Sequence, residues 1–310
     1  MRVAMIGGTG FVGSYIVDAL IAAGHEPSLL VRAGSESKVR QKKQCRLFIG
    51  DVKSNDKIAA VIAGCDAVIF CIGILREYPR QGITYEEMQY QALVRVADQA
   101  RAQGVTRFLL MSANGVRCPG TPYQETKYRA EQYLQSHPFE VTVFRPSVVF
   151  GDPQGRMEIA TQLYRDMVRP PLPAIGFFTG WRPSRGPVMM SPVHVADVAA
   201  AFVSSLEKPA TVGQTYELGG PDALSWTEML RRIASATQKN KWIVPMPISM
   251  MYLAAMLLDW LPSFPVTRDQ LTMLAEGNVT DSAAIRSLIG RLPESFTAEN
   301  LLYLEKEAGI

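Results

Sequence analysis

The sequence predicts an α/β fold: a doubly wound parallel sheet followed by a smaller, mostly helical C-terminal lobe. Three observations predict it. Short apolar runs alternate with helical patterns through the first half of the chain. Those runs are apolar on both faces, as strands covered on both sides require. A glycine-rich turn joins the first run to the first helical pattern. Strands separated by helices imply right-handed parallel crossovers.

The elements follow in order. Arg2–Ile6 reads as a buried strand, and Phe11–Ala23 as a helix stopped by Gly24. Ser28–Val31, Arg46–Ile49 and Ala67–Ile72 repeat the strand pattern. Tyr85–Gln103 is a long amphipathic helix ending at Gly104. Arg107–Met111 is a strand, Tyr123–Gln135 a helix and Val141–Arg145 a further strand. Pro170, Pro171, Pro173, Pro183 and Pro187 mark an irregular segment after Gly151. Val193–Leu206 returns to a helical pattern, and Tyr216–Leu218 is a short strand before the turn Gly219-Gly220-Pro221. Ser225 caps a helix over Trp226–Thr237, with Glu228 completing a capping box. The expected domains are residues 1–151 with about 187–208, and a substrate or partner lobe from 152–186 and 209–310.

Composition narrows the function classes. A hydrophobic fraction of 47% with 20% charge is that of a soluble globular protein. A net charge of +3 on scattered cations argues against nucleic acid, and Arg40–Lys43 is too short a run to be more than a solvated loop. Cys45, Cys65, Cys71 and Cys118 have no metal-ligand spacing, so a reduced, cytoplasmic setting is expected and no metal. A strand starting at Arg2 leaves no room for a signal or transit peptide.

The turn Gly7-Gly8-Thr9-Gly10-Phe11-Val12-Gly13 sits between the first strand and the first helix. Gly7 allows a tight turn, Gly10 lets a pyrophosphate approach the backbone, and Gly13 lets the helix pack on the sheet. The helix N-terminus offers free N–H groups to phosphate. This is the dinucleotide signature of a Rossmann domain in its required context. A site selective for NAD usually carries an acid at the end of the second strand. Here Val31-Arg32 stands there, and the Arg32 guanidinium suits a 2′-phosphate. NADP(H) is therefore the expected cofactor and NAD the second choice. Asp51-Val52 ends the third strand, where it meets the adenine edge. Cys71-Ile72-Gly73 ends the fourth, where a small residue lets the backbone pass the cofactor.

Tyr123 and Lys127 lie four apart in a helix, so both face one way. A phenol can exchange a proton with a carbonyl or alcohol, and a nearby ammonium stabilises phenolate. Ser112, at the end of the fifth strand, could hold the substrate oxygen. These three are the candidate catalytic residues.

Together these residues resemble the extended and atypical short-chain dehydrogenases/reductases, the NAD-dependent epimerase/dehydratase-like proteins. The carriers are the glycine turn, Asp51-Val52, Leu110-Met111-Ser112-Ala113, Tyr123-x-x-x-Lys127, Arg145-Pro146-Ser147-Val148-Val149-Phe150-Gly151 and Ser191–Ala199. The whole chain, with Pro265-Val266-Thr267-Arg268-Asp269-Gln270, looks most like bacterial relatives of the nucleotide-binding accessory subunit of respiratory complex I. The resemblance implies cofactor contacts at Gly7, Thr9, Gly10, Phe11, Val12, Arg32, Asp51, Val52 and Lys127. It implies that Pro146, Ser147, Val148 and Val149 border the nicotinamide, and that Ser112, Tyr123 and Lys127 form a triad. Two features depart from the pattern. Ser112 and Tyr123 are only eleven apart, so Ala113 or Asn114 is an alternative serine position. Gln89-Tyr90-Gln91 stands where an Asn is common.

From Ile243 to Leu258 no residue is charged. Residues 242–261 have three readings: a buried helix lining a cleft for an apolar ligand, a helix docked on a membrane surface or membrane complex, or a spanning helix. Met250, Met251, Leu253, Met256, Leu257 and Trp260 would form the docking face. Pro245 and Pro247 and the short length count against spanning. Two functions are thus expected to compete. One is an NADP(H)-dependent oxidoreductase or epimerase-like enzyme with a small or apolar substrate. The other is a cofactor-bound scaffold or assembly factor at the inner face of a membrane.

Overall fold

The computed structural model describes residues 1–180, 186–258 and 267–308. The strands are β1 Arg2–Ile6, β2 Glu26–Val31, β3 Arg46–Ile49, β4 Ala67–Phe70, β5 Arg107–Met111, β6 Glu140–Pro146, β7 Val149–Phe150, β8 Ala174–Phe178, β9 Met189–Met190, β10 Val193–His194, β11 Gln214–Leu218, β12 Leu224–Ser225 and β13 Ile243–Pro247. The α-helices are α1 Phe11–Ala22, α2 Asn55–Ile62, α3 Ala92–Ala102, α4 Pro122–Gln135, α5 Ile159–Leu163, α6 Val195–Leu206, α7 Trp226–Ala236, α8 Ile248–Leu258, α9 Arg268–Glu276, α10 Ala283–Ile289 and α11 Leu304–Ala308.

β1, β2, β4 and β5 are short and apolar because both faces are covered: Val3–Ile6 and Ala67–Ile69 are fully buried. Seven strands form one sheet in the order β11-β6-β5-β4-β1-β2-β3. The six from β1 to β6 pair in parallel. The strand order reverses between β1 and β4. Ligands of open α/β sheets gather outside the carboxyl ends of strands at such a reversal. Helices α1 and α6 pack together, as do α2 and α3. Ile58, Val61, Val96, Ala97 and Leu134 join strand residues in a continuous core. The doubly wound Rossmann expectation is met.

The chain divides into two units. The first is Met1–Pro146, Val195–Glu217 and Ala284–Arg291; the second is Ser147–His194, Leu218–Ala283 and Leu292–Ile310. The second unit holds short two-stranded pieces, β7 with β10, β9 with β12 and β8 with β13. Its core gathers Phe150, Tyr164, Trp226, Leu230, Ile233 and Phe296.

Three local expectations change. The helix read over Tyr85–Gln103 begins as a π-helix, Glu86–Gln91, before α3. Ser225 does cap α7, accepting from the Glu228 amide at 3.1 Å, but the reciprocal bond is missing. The Glu228 carboxylate turns instead to Arg232 at 3.3 Å. Complete capping boxes form at Thr121/Gln124 and Thr267/Gln270.

The apolar stretch is not one helix. Ile243–Pro247 is a strand paired in parallel with β8, and the helix starts at Ile248. Proline lacks an N–H and is confined to strand edges, which is where Pro245 and Pro247 can sit. Ile248 and Ala255 pack on Leu271, while Met250, Leu253 and Met256 are 59%, 59% and 60% exposed. The buried reading thus holds for one face of α8 only. Among the described residues no helix is long and apolar enough to cross a membrane. Pro183, Trp260, Leu261 and Pro265-Val266 lie outside the described residues, as does the side chain of Leu257.

Candidate functional site

The glycine turn is shaped by close approach. Gly7 has φ +96°, and a Cβ there would lie 2.9 Å from the Cys71 carbonyl. A Cβ on Gly13 would stand 2.2 Å from the Gly7 oxygen, so α1 is pressed against the turn itself. At Gly10 a Cβ would meet only the Gly7 oxygen, at 3.3 Å. The protein demands little of that position, which fits a backbone kept bare for a ligand. Gly10 is the N-cap of α1 and makes no side-chain hydrogen bond, and the first turn carries no acid. With glycine at the N-cap, no side chain of that residue competes with a phosphate for the first N–H groups of α1.

The other predicted cofactor residues lie at the same carboxyl edge. Arg32 is exposed just past β2, and its carbonyl accepts from Ser35 N at 2.9 Å. Asp51 follows β3, and its carboxylate accepts from the Lys53 amide at 3.0 Å. Val52 is buried, and its carbonyl takes the Arg95 Nε–H at 2.9 Å. Cys71, Ile72 and Gly73 follow β4. Burial pushes the Cys71 thiol up to about 12, so it is neither nucleophile nor anion. Gly73 faces Lys127: a Cβ there would be 3.8 Å from Nζ.

Tyr123 and Lys127 lie on α4, with Lys127 Nζ 5.9 Å from the centre of the Tyr123 ring. Lys127 is 5% exposed and donates to the Met111 carbonyl at 3.0 Å. Burial lowers its pKa to about 8, against the raising pull of Cys71 and Glu131. Burial, and then Tyr85, push the Tyr123 phenol above its ordinary value, so the hydroxyl keeps its proton at neutral pH. Ser112 follows β5. Its Oγ is buried and has no hydrogen-bond partner among the described residues. Ser112 lines a narrow, partly open crevice together with Phe70, Ile72, Gln89, Leu110, Lys127 and Ala130. Pro146 ends β6, and its carbonyl accepts from Asn114 N at 2.9 Å. Ser147, Val148 and Val149 belong to the second unit, where Ser147 Oγ donates to the Asn278 carbonyl at 2.8 Å and Val149 pairs with Val193.

Two supporting residues were not legible as such. Gln89, noted only as a departure from a common Asn, is buried. Its Nε2 donates to the Ile74 carbonyl at 3.0 Å, and its Oε1 accepts from Thr126 at 3.1 Å. It ties the loop after β4 to the helix of Tyr123 and Lys127. The π-turn at Glu86–Gln91 surrounds it, and such turns recur at functional sites. Glu131, fully buried, takes both Nε–H and Nη2–H of Arg145, at 3.0 and 2.5 Å. The spacing of Lys127 and Glu131, one helical turn, was the available signal.

Comparisons with known proteins bear on the family and the fold. The family model described as NAD(P)H-binding matches residues 7–168. A mitochondrial subunit of Arabidopsis thaliana, NADH dehydrogenase (ubiquinone) 1 alpha subcomplex subunit 9, is 28% identical over 287 residues, covering 88% of this chain and 68% of the relative. The ceramide reductase of Caulobacter vibrioides is 24% identical, covering 83% of this chain and 77% of that one. The structure of UDP-glucose 4-epimerase from Bifidobacterium longum with NAD+ and UDP superposes with a TM-score of 0.75 at 16% identity, covering 99% of this chain and 98% of that one. The chain therefore belongs to the NAD(P)H-binding family, in the extended, epimerase-like branch of the short-chain dehydrogenases/reductases.

Proposed function

We propose that the chain is an NADP(H)-dependent oxidoreductase, or an epimerase-like enzyme, acting on a small or apolar substrate. The observation that carries this reading is Lys127, a buried ammonium lowered to about 8 beside a protonated Tyr123 at the carboxyl edge of the sheet. Perturbed groups of this kind concentrate at working sites. In this reading Tyr123 gives its proton to a substrate oxygen. Lys127 holds the cofactor ribose and stabilises the phenolate left behind, and Ser112 orients the substrate oxygen. The dinucleotide, when bound, supplies or accepts the hydride. In this reading its phosphates sit at the start of α1, where the N-cap is glycine, and the exposed Arg32 guanidinium takes a 2′-phosphate. The ceramide reductase relative supports an apolar, lipid-like substrate.

Titration with both nucleotides tests the cofactor. NADPH should bind about tenfold tighter than NADH, and Arg32→Ala should erase that difference. Tighter binding of NADH would sink the Arg32 assignment. With a turned-over substrate in hand, Tyr123→Phe should lower kcat by about a hundredfold or more at unchanged cofactor affinity. An unaffected kcat would remove Tyr123 from the mechanism.

A second reading is favoured by the complex I relatives: a cofactor-bound scaffold or assembly factor at the inner face of a membrane. The narrowness of the crevice that Ser112 lines supports it, since little room is left there for a substrate oxygen. Cofactor binding without turnover of any carbonyl or alcohol would select this reading.

A further inference from the structure

The second unit carries a feature that cofactor chemistry does not use. Between Met167 and Gly180 the sequence holds Arg169 and no acid. Between Met229 and Leu258 it holds Arg231, Arg232, Lys239 and Lys241, and again no acid, though Arg231 and Arg232 pair with Glu228 and Asp222 from outside it. The two acid-free stretches are brought together. β8 and β13 pair from Ala174↔Ile243 to Phe178↔Pro247. Ala174 N donates to the Trp242 carbonyl at 2.8 Å, and Lys241 Nζ donates to the Pro170 carbonyl.

At the start of this pair the large apolar side chains point out. Leu172 is 72% exposed and Trp242 is 79% exposed. Arg169 and Lys239 are exposed beside them in sequence. α8 then presents Met250, Leu253 and Met256 to solvent at a spacing of three, which keeps them on one side of the helix. Its other side is occupied by Ile248 and Ala255 against Leu271.

We propose that this surface docks on an anionic lipid bilayer. An indole at the water–lipid boundary, an apolar helical stripe and exposed cations, here Arg169 and Lys239, are the three components of interfacial binding. Eleven residues of helix are about 16 Å long, too short to cross a hydrocarbon core, so α8 lies in the plane of the surface. Nucleic acid would answer the cations but would leave Leu253 and Met256 in water. The proposal stands apart from the cofactor reading, because every residue in it belongs to the second unit.

Flotation of the full chain with lipid vesicles tests it. Vesicles of phosphatidylcholine with about a third phosphatidylglycerol should bind the protein at least about tenfold better than phosphatidylcholine alone, and salt should weaken that binding. The triple change Met250→Ser, Leu253→Ser and Met256→Ser should cut binding about tenfold, with an unchanged thermal midpoint and cofactor affinity. Arg169→Gln with Lys239→Gln should lower binding to the anionic vesicles toward the level on neutral ones. On vesicles the tryptophan emission should shift to the blue, and Trp242→Phe should remove most of that shift. Equal binding to both vesicle types, no binding to either, or full binding by the triple variant would overturn the proposal. So would self-association that the triple variant abolishes without any vesicle binding.

Discussion

The two ends of β5 each hold a buried cation, and they are treated differently. At the start, Arg107 is 6% exposed and makes four hydrogen bonds. It donates to the carbonyls of Glu140 at 2.7 Å, Ser205 at 2.5 Å and Leu206 at 3.3 Å, and to Thr211 Oγ1 at 3.0 Å. Those carbonyls include the last of α6, which need donors. At the far end, Lys127 is equally buried but is bonded to one carbonyl, that of Met111, beside a serine hydroxyl with no partner. Buried polar groups are costly unless satisfied. A satisfied cation is a structural clamp. An under-satisfied one has donors left for something that arrives later.

The largest expected effect breaks the clamp. Arg107→Met should cost about 4 kcal/mol of unfolding free energy, because it removes four hydrogen bonds at once and leaves the Glu140 and Leu206 carbonyls without this donor. Urea unfolding would measure it, and cofactor affinity per folded molecule should not change. A loss under about 1 kcal/mol would mean that water already serves those carbonyls.

The opposite end should respond with the opposite sign. Burial lowers the Lys127 ammonium to about 8 in the folded chain, from an ordinary 10.5. Between those values the unfolded chain binds the extra proton, so stability rises as pH climbs from about 8 to about 10.5. The rise is about 3 kcal/mol, and below pH 8 the whole cost remains. Lys127→Met should flatten that rise, raise stability near neutral pH and weaken cofactor binding. Matching pH–stability curves for the two proteins would defeat the distinction drawn here.

The smallest effect sharpens it. Ser112→Ala removes a hydroxyl that has no protein partner, so stability should move by less than about 1 kcal/mol, in either direction. A loss of about 2 kcal/mol or more would place that hydroxyl with the clamps.

What the sequence made legible follows the same division. The glycine turn, the strand ends and the Tyr123–Lys127 pair depend on neighbours a few residues away, and all were read at once. The doubly wound parallel sheet followed from alternation and crossover handedness, while the place of β11 at its edge did not. Arg107 was read only as the first residue of a strand. Its acceptors are mostly backbone carbonyls, 33 to 99 residues distant, and a carbonyl has no sequence signature. Gln89 was visible as an anomaly, but the π-turn that aims it was not. Pro245 and Pro247 were read as helix breakers; that they stand in a strand depends on β8, nearly seventy residues earlier.

Arg107 also sets a timetable. The guanidinium is synthesised about a hundred residues before Ser205, Leu206 and Thr211, which complete its hydrogen bonds. At the usual pace of translation that interval is on the order of ten seconds. Through it the charge must keep its hydration, and β5 cannot settle into a dry sheet. A nascent chain stopped near Pro146 would hold the glycine turn and the Tyr123–Lys127 pair and still lack the lock on its central strands. The domain that is written first in the message is finished late, when the polypeptide returns to it.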